Sequence, residues 1–480
     1  MDTFYNWVFD KNNDLNKMAL STIDKSHTYG ELKKEVDKYK VLLSEHGDLR
    51  GKRIGIIIPS VFYYSSLFMA VNMLGGTVIP INAQLRKGDL SSILELTEPH
   101  IIFTIEETKD TNFREVVRNW SLSSGKKIIM YCSKEYKVWN KEVQEGLESE
   151  LDEEKIDVIG CSSGSTGIPK GMMINMEAWS YWLKRITEGS SLSEDDKVFS
   201  IIPITAPYGI TWLFSCLKEG LSLVIPERFD VFQTVMYLKE NQCNKIVSTP
   251  SVFKSLYMFI EKVDKSIFKS INMLVFAGEV ISESFINDLE ELKQCDLIGL
   301  YGLSEQGLIM WSLDLKEPGW EIGPEVGFKM TEDNELVFHS PAALTGYYRN
   351  EQLTKEVMRD GWFYTGDLGV MLDNGRIQIV GRKKDMIKKG GQQIIPGEIE
   401  NFLLTHKHIK QAVIIGVPHE IFGEKVVAFI VGDAQIEISE LYTFCKSSMA
   451  QYKVPDEIYQ LKEFPMNLGK VDKLALRNMG

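Results

Sequence analysis

The sequence predicts an α/β protein: a large N-terminal domain of mixed, largely parallel sheets with helices, followed by a small α+β C-terminal domain. Three observations carry this. Arg53–Ile58, a helical stretch from Val61 to Leu74 and Thr77–Ile81 read as a strand–helix–strand unit. Further β-rich runs at Ile101–Thr104, Lys127–Tyr131, Val198–Ile202, Leu223–Ile225, Lys245–Ser248 and Met273–Phe276 are mostly separated by helical stretches, as in parallel sheets with connecting helices. After about residue 330 the runs become short and alternating, flanked by turn residues such as Asp373-Asn374-Gly375.

In chain order, Thr28 is placed to cap a helix, with Glu31 set for a capping box. The most apolar region, Arg53 to Asn82, is broken by Pro59, Asn72 and Gly75-Gly76, which suits strand–helix–strand and not a membrane span. Ser133 to Lys155 is charged without an apolar stripe, and is expected at the surface. Asp157–Gly160 reads as a short buried strand. Glu335–His339 and Arg376–Val380 are further short strands. Beyond Asp385 come a helix at Glu398–Thr405, strands at Gln411–Gly416 and Val426–Val431, a helix at Ile438–Met449 and a last strand near Ile458. That pattern suffices for a separate domain of about 100 residues. The expected division is 1–381 and 382–480, with Gly381–Asp385 as the joint. No internal repeat or low-complexity tract interrupts it.

A chain of 480 residues exceeds what one core usually serves. Its net charge of −13 argues against a nucleic-acid partner, since neutralising phosphates takes a basic face. Local N–H groups and lysines still suffice for a nucleotide. The six cysteines show no paired spacing and no signal peptide is visible, so they read as reduced thiols of a cytoplasmic protein.

The stretch Cys161 to Gly171 concentrates the chemistry. Ser162, Ser163, Ser165 and Thr166 bring hydroxyls, Gly164 and Gly167 free the backbone, and Lys170 adds charge. Glycines let successive N–H groups turn inward into an anion-binding nest. This is the make-up of a polyphosphate cradle. It differs from a Walker P-loop, in which Lys-Ser/Thr directly follows the last glycine.

The order Ser-Gly-Ser-Thr-Gly-x-Pro-Lys-Gly resembles the signature loop of the adenylate-forming superfamily, which includes acyl-CoA synthetases, peptide-synthetase adenylation domains and luciferases. Six further stretches resemble that family in the same order. Ala277-Gly278-Glu279 looks like its turn beside adenine. Tyr301-Gly302-Leu303-Ser304-Glu305 is similar to its Tyr-Gly-x-Thr-Glu motif, with serine for threonine; the tyrosine is then expected on adenine and Glu305 on Mg²⁺. By the same resemblance Asp367 and Arg382 reach the ribose and Lys384 is the hinge between domains. Gly390 and Gly391 would border the thiol's pantetheine arm, and Lys470 is the catalytic lysine. The spacing from Pro465 to Gly469 is one residue shorter than the resemblance leads one to expect.

The acid site is expected after Pro203. Ala206 stands where relatives often carry a histidine, and no acid lies between Val198 and Leu217 to pair an ammonium. Tyr208, Trp212, Gly299, Leu303 and Ile309 are candidate walls for an uncharged acyl or aryl tail. The resemblance is strongest to acyl-CoA synthetases. It implies an ATP-dependent acid–thiol ligase that activates a small carboxylic acid as acyl-AMP, then passes the acyl group to CoA. A carrier protein's phosphopantetheine arm is the alternative acceptor, and a non-catalytic nucleotide- or acyl-binding relative the remaining reading.

Overall fold

A computed structural model describes residues 2–479 apart from 11, 13, 24, 164–168, 228–229, 280, 282, 433–434 and 468–469. Two sheets dominate the large N-terminal part. One has eight strands, in the order Gly346–Tyr347, Pro169–Ile174, Val158–Ser163, Thr77–Pro80, Arg53–Ile57, Ile101–Ile105, Ile128–Ser133 and Asn140–Gln144. Its central strands are parallel and its edges antiparallel. The parallel strands Arg53–Ile57 and Ile101–Ile105 are short, mostly apolar and wholly buried, as expected of a sheet covered on both faces.

The second sheet has nine strands, with parallel members including Lys197–Ser200, Lys245–Ser248, Met273–Ala277 and Asp296–Leu303. Helix Val61–Met73 lies in the core shared by the two sheets, and 11 of its 13 residues are buried. It therefore needs no polar face, which explains the apolar run between Arg53 and Asn82. Among the described residues no helix is long and apolar enough to cross a membrane. At Thr28 the capping box forms in full.

The charged segment after Ser133 carries an edge strand, Asn140–Gln144, that its composition conceals. Glu142 on it pairs with Arg114 and Arg118, so its charges blunt an open sheet edge.

An antiparallel five-stranded sheet follows, built on Gly327–Met330, Glu335–His339, Trp362–Met371 and Ile377–Arg382, with Met358–Arg359 at its edge. The chain leaves it at Arg382 and passes through one 3-10 turn, Lys383–Asp385, into the smaller C-terminal domain. There, strands Ile409–His419 and Gly423–Gly432 carry helices Pro396–Leu404 and Ile438–Ser448 on one face. Val413, Ile415 and Val417 alternate to the other face, under Phe464 and Leu476. The joint is tightly packed. A Cβ on Gly397 would lie 2.5 Å from the Val380 carbonyl oxygen, so only glycine fits there.

Candidate active site

The two ends of the glycine-rich motif lie on paired strands. Val158–Ser163 and Pro169–Ile174 pair antiparallel, with Ser162 opposite Lys170. Gly164, Ser165, Thr166 and Gly167 lie outside the described residues, as does the side chain of Ser163. Lys170 is half-buried, and its Nζ stands 5.6 Å from the centre of the Tyr347 ring.

Glu305 occupies the turn of a second hairpin, between Asp296–Leu303 and Gly307–Ser312. That turn is tight: a Cβ on Gly302 would meet the Gly307 carbonyl oxygen at 2.3 Å. Ser304 projects to solvent from the same turn. Glu305 Oε1 accepts a hydrogen bond of 2.8 Å from Tyr347 Oη. Burial first, and then the Glu305 charge, push the Tyr347 phenol far above its ordinary value, so it remains a donor. One tyrosine thus touches both the lysine of the phosphate hairpin and the carboxylate expected to hold a cation.

The chemistry of that carboxylate fits magnesium. Among the described residues no three His, Cys, Asp or Glu side chains converge into a protein-only cage. A single hard-oxygen ligand completed by phosphate oxygens and waters is a normal magnesium arrangement.

Asp367 is nearly inaccessible, at 2% exposure. Its Oδ2 accepts from Tyr301 Oη at 2.5 Å, and Arg382 Nε stands 2.7 Å from its Oδ1. The strand register places Asp367 directly opposite Arg382. Burial pushes the Asp367 carboxyl above the ordinary carboxylate value, against the pull of Arg382 and the Tyr301 hydrogen bond. Burial and the Asp367 charge drive the Tyr301 phenol well up.

Ala277 ends a buried strand and Gly278 follows with φ of +85°, a conformation glycine adopts freely. Glu279 accepts from Ser251 N at 2.9 Å and Ser251 Oγ at 2.7 Å, at the start of helix Pro250–Val263. A carboxylate there satisfies an orphan N–H and complements the helix dipole.

The five candidate pocket residues divide. Tyr208, Trp212 and Leu303 share the core between the two large sheets, with Tyr208 and Trp212 edge-to-face at 6.4 Å. Gly299 instead faces Trp320 and Leu315, whose atoms lie within 3 Å of where its Cβ would stand. Ile309 is fully buried in a cluster with Met310, Leu336, Phe338 and Ile377.

In the small domain Gly390 and Gly391 form the two-residue turn between Ile387–Lys389 and Gln392–Ile394. Their φ values are +55° and +82°, both positive as a type I′ hairpin turn requires. That accounts for both glycines without a ligand. Lys470 lies on a short strand paired with Asn467; its side chain lies outside the described residues. Lys384 is exposed at the middle of the interdomain turn. Burial pushes the Cys132, Cys295 and Cys445 thiols up to about 11, which leaves them poor nucleophiles.

Tyr347, Trp320 and Lys383 were not singled out from the sequence. Tyr347 stands in Thr345-Gly346-Tyr347-Tyr348, which carries no chemical signature of its own.

A two-domain α/β fold with a half-buried hairpin lysine and a buried carboxylate paired to an exposed arginine suits a nucleotide-binding protein. The comparisons make the assignment specific: the chain belongs to the AMP-binding enzyme family, whose model matches residues 9–341, and the AMP-binding enzyme C-terminal domain matches residues 398–468. It is 26% identical to a long-chain-fatty-acid–CoA ligase of Bacillus subtilis, over 95% of this chain and 90% of that one. A 2-succinylbenzoate–CoA ligase of Bacillus pumilus is 25% identical, over 97% and 95%. ATP-bound MatB from Rhodopseudomonas palustris shares the fold with a TM-score of 0.87 at 21% identity, covering 99% of this chain and 98% of that one. The o-succinylbenzoate CoA synthetase of Bacillus subtilis, in complex with the acyl-adenylate OSB-AMP, superposes with a TM-score of 0.80 at 20% identity, over 98% and 97%.

Proposed function

We propose that this enzyme is an AMP-forming acid–CoA ligase. A carboxylic acid and ATP give acyl-AMP and pyrophosphate, and CoA then takes the acyl group. The observation that carries the reading is a pair of family matches, over residues 9–341 and 398–468, with relatives named as CoA ligases. Those names also favour CoA over a carrier-protein arm.

The first step brings a carboxylate onto an anionic α-phosphate. Positive charge between them stabilises the transition state more than the ground state. In this reading Lys470 supplies that charge, while Lys170 and the hairpin loop hold the departing pyrophosphate. Glu305 holds magnesium, which when bound neutralises phosphate charge. Tyr301 and Ala277-Gly278-Glu279 flank adenine, and Asp367 with Arg382 takes the ribose hydroxyls. A carboxylate oxygen has two lone pairs, so Asp367 can keep Tyr301 while accepting from ribose.

The domains divide at 381/382 in this reading, with Lys384 as the hinge, and the Gly390-Gly391 turn borders the CoA arm. The acid is fatty or aryl with an uncharged tail, set against Tyr208, Trp212 and Leu303. Reduced thiols suit a cytoplasmic enzyme.

The test is pyrophosphate release, with and without CoA, over fatty, aryl and amino acids. Release with neutral-tailed acids and accumulation of the matching CoA thioester are expected. Saturating activity with an α-amino acid alone, or release without a CoA thioester, contradicts the proposal.

A further inference from the structure

Tyr347 is buried between the two charged groups of the proposed phosphate site, and no motif accounts for it. Its ring centre lies 5.6 Å from Lys170 Nζ and its hydroxyl donates to Glu305 Oε1 at 2.8 Å. The backbone is tied to the same two places. Gly346 and Tyr347 pair with Met173 and Met172, on the strand that carries Lys170. The Leu344 N–H donates to the Glu305 carbonyl oxygen at 2.8 Å. This segment therefore stitches the eight-stranded sheet, with its phosphate hairpin, to the nine-stranded sheet, with its Glu305 turn.

We propose that Tyr347 is a positioning residue for magnesium–ATP. Its hydroxyl holds the Glu305 carboxylate in one orientation, and its ring face holds the Lys170 ammonium beside the path of the polyphosphate. The proposal rests on the roles given above to Glu305 and Lys170. One phenol O–H takes one of about four acceptor sites on a carboxylate, leaving the others for a cation and its waters. Fixing that side chain beforehand removes an ordering cost from binding. Attraction between ring and ammonium at this distance is weak enough for a triphosphate to outcompete it. Lys170 is thus oriented without being trapped.

Full-length wild type, Tyr347→Phe and Tyr347→Leu would be titrated calorimetrically with ATP, once with magnesium and once in EDTA. Tyr347→Phe keeps the ring and loses only the hydroxyl. It is expected to lose about tenfold in affinity for magnesium–ATP, the usual scale for a hydrogen bond to a charged group. Its affinity for ATP in EDTA should match wild type. Tyr347→Leu should weaken both, because Lys170 loses its ring. Adding Tyr347→Phe to Glu305→Gln should cost nothing further. Equal losses with and without magnesium in Tyr347→Phe, or none, would overturn the proposal. Absence of pyrophosphate release by wild type with any acid sinks the catalytic reading instead, and the binding titrations still decide the role of Tyr347.

Discussion

Tyr301 Oη donates to Asp367 Oδ2 across 2.5 Å, joining the nine-stranded sheet to the five-stranded one inside the proposed nucleotide site. Arg382 holds the other carboxylate oxygen at 2.7 Å, from the last residue before the interdomain turn. The carboxylate proposed to read the ribose is therefore also a link between the large sheets and the start of the joint. Its ionisation bears on both binding and stability.

Burial raises the Asp367 carboxyl and Arg382 is the largest force opposing that rise. Only the ionised form has its full acceptor capacity for ribose hydroxyls. ATP affinity should accordingly fall as pH drops through the raised carboxyl value. Arg382→Gln should move that acid limb to higher pH, because the opposing charge is gone. Stability runs the other way: a raised carboxyl costs the folded state nothing below the unfolded value, and progressively more as pH climbs through the folded one. Equilibrium ATP binding from pH 4 to 8 in both proteins checks this, and an acid limb that stays in place with glutamine contradicts it.

Local pattern made part of this molecule legible. The parallel strands at Arg53, Ile101 and Met273 are mostly apolar runs whose burial on both faces is written in their composition. Lys170, Glu305 and Asp367 stand out as candidates because their neighbours in sequence form recognisable motifs. Tyr347 does not, because its partners come from distant strands and only tertiary pairing brings them together. Gly390 and Gly391 show the opposite case, a pair whose turn geometry alone explains its composition. Gly299 and Ile309 lie near Tyr301 in sequence, yet pack into clusters other than that of Tyr208, because hairpin pairing turns them elsewhere.

Gly302→Ala tests the tightness of the Glu305 turn. The added methyl would stand 2.3 Å from a backbone oxygen, which no side-chain rotation relieves. Overpacking of this kind costs about 1–3 kcal/mol. Thermal unfolding should show a lowered Tm, with magnesium–ATP affinity reduced as Glu305 is displaced. An unchanged Tm would mean that the hairpin opens readily.

Lys170→Ala separates the two half-reactions. Only the first contains pyrophosphate, so acyl-adenylate formation should slow while thioester formation from supplied acyl-AMP is largely spared. The cost should fall mainly on ATP–pyrophosphate exchange, measured beside CoA acylation from synthetic acyl-AMP. Equal losses in both assays would assign Lys170 to folding, through its contact with Tyr347.

Lys384 lies between two anchored neighbours. Lys383 Nζ reaches Asp333 at 2.6 Å and Glu335 at 3.0 Å, both belonging to the large N-terminal part. On the other side Asp385 accepts from Lys473 Nζ at 2.8 Å, on the C-terminal helix Lys473–Arg477. Rotation of one part against the other with both anchors kept concentrates on the backbone torsions at Lys384. The proposed roles require rotation, because they assign Lys470 to the first half-reaction and the Gly390-Gly391 turn to the second, and a rigid domain carrying both can hardly serve the two in one pose. Proline fixes φ near −65° and restricts the residue before it, so Lys384→Pro should trap one orientation. Acyl-adenylate formation should remain measurable and most thioester formation should be lost. The purified variant would be assayed for ATP–pyrophosphate exchange and for CoA acylation from synthetic acyl-AMP. Acylation at the wild-type rate with proline in place would falsify rotation at Lys384 and put the pivot elsewhere in the joint.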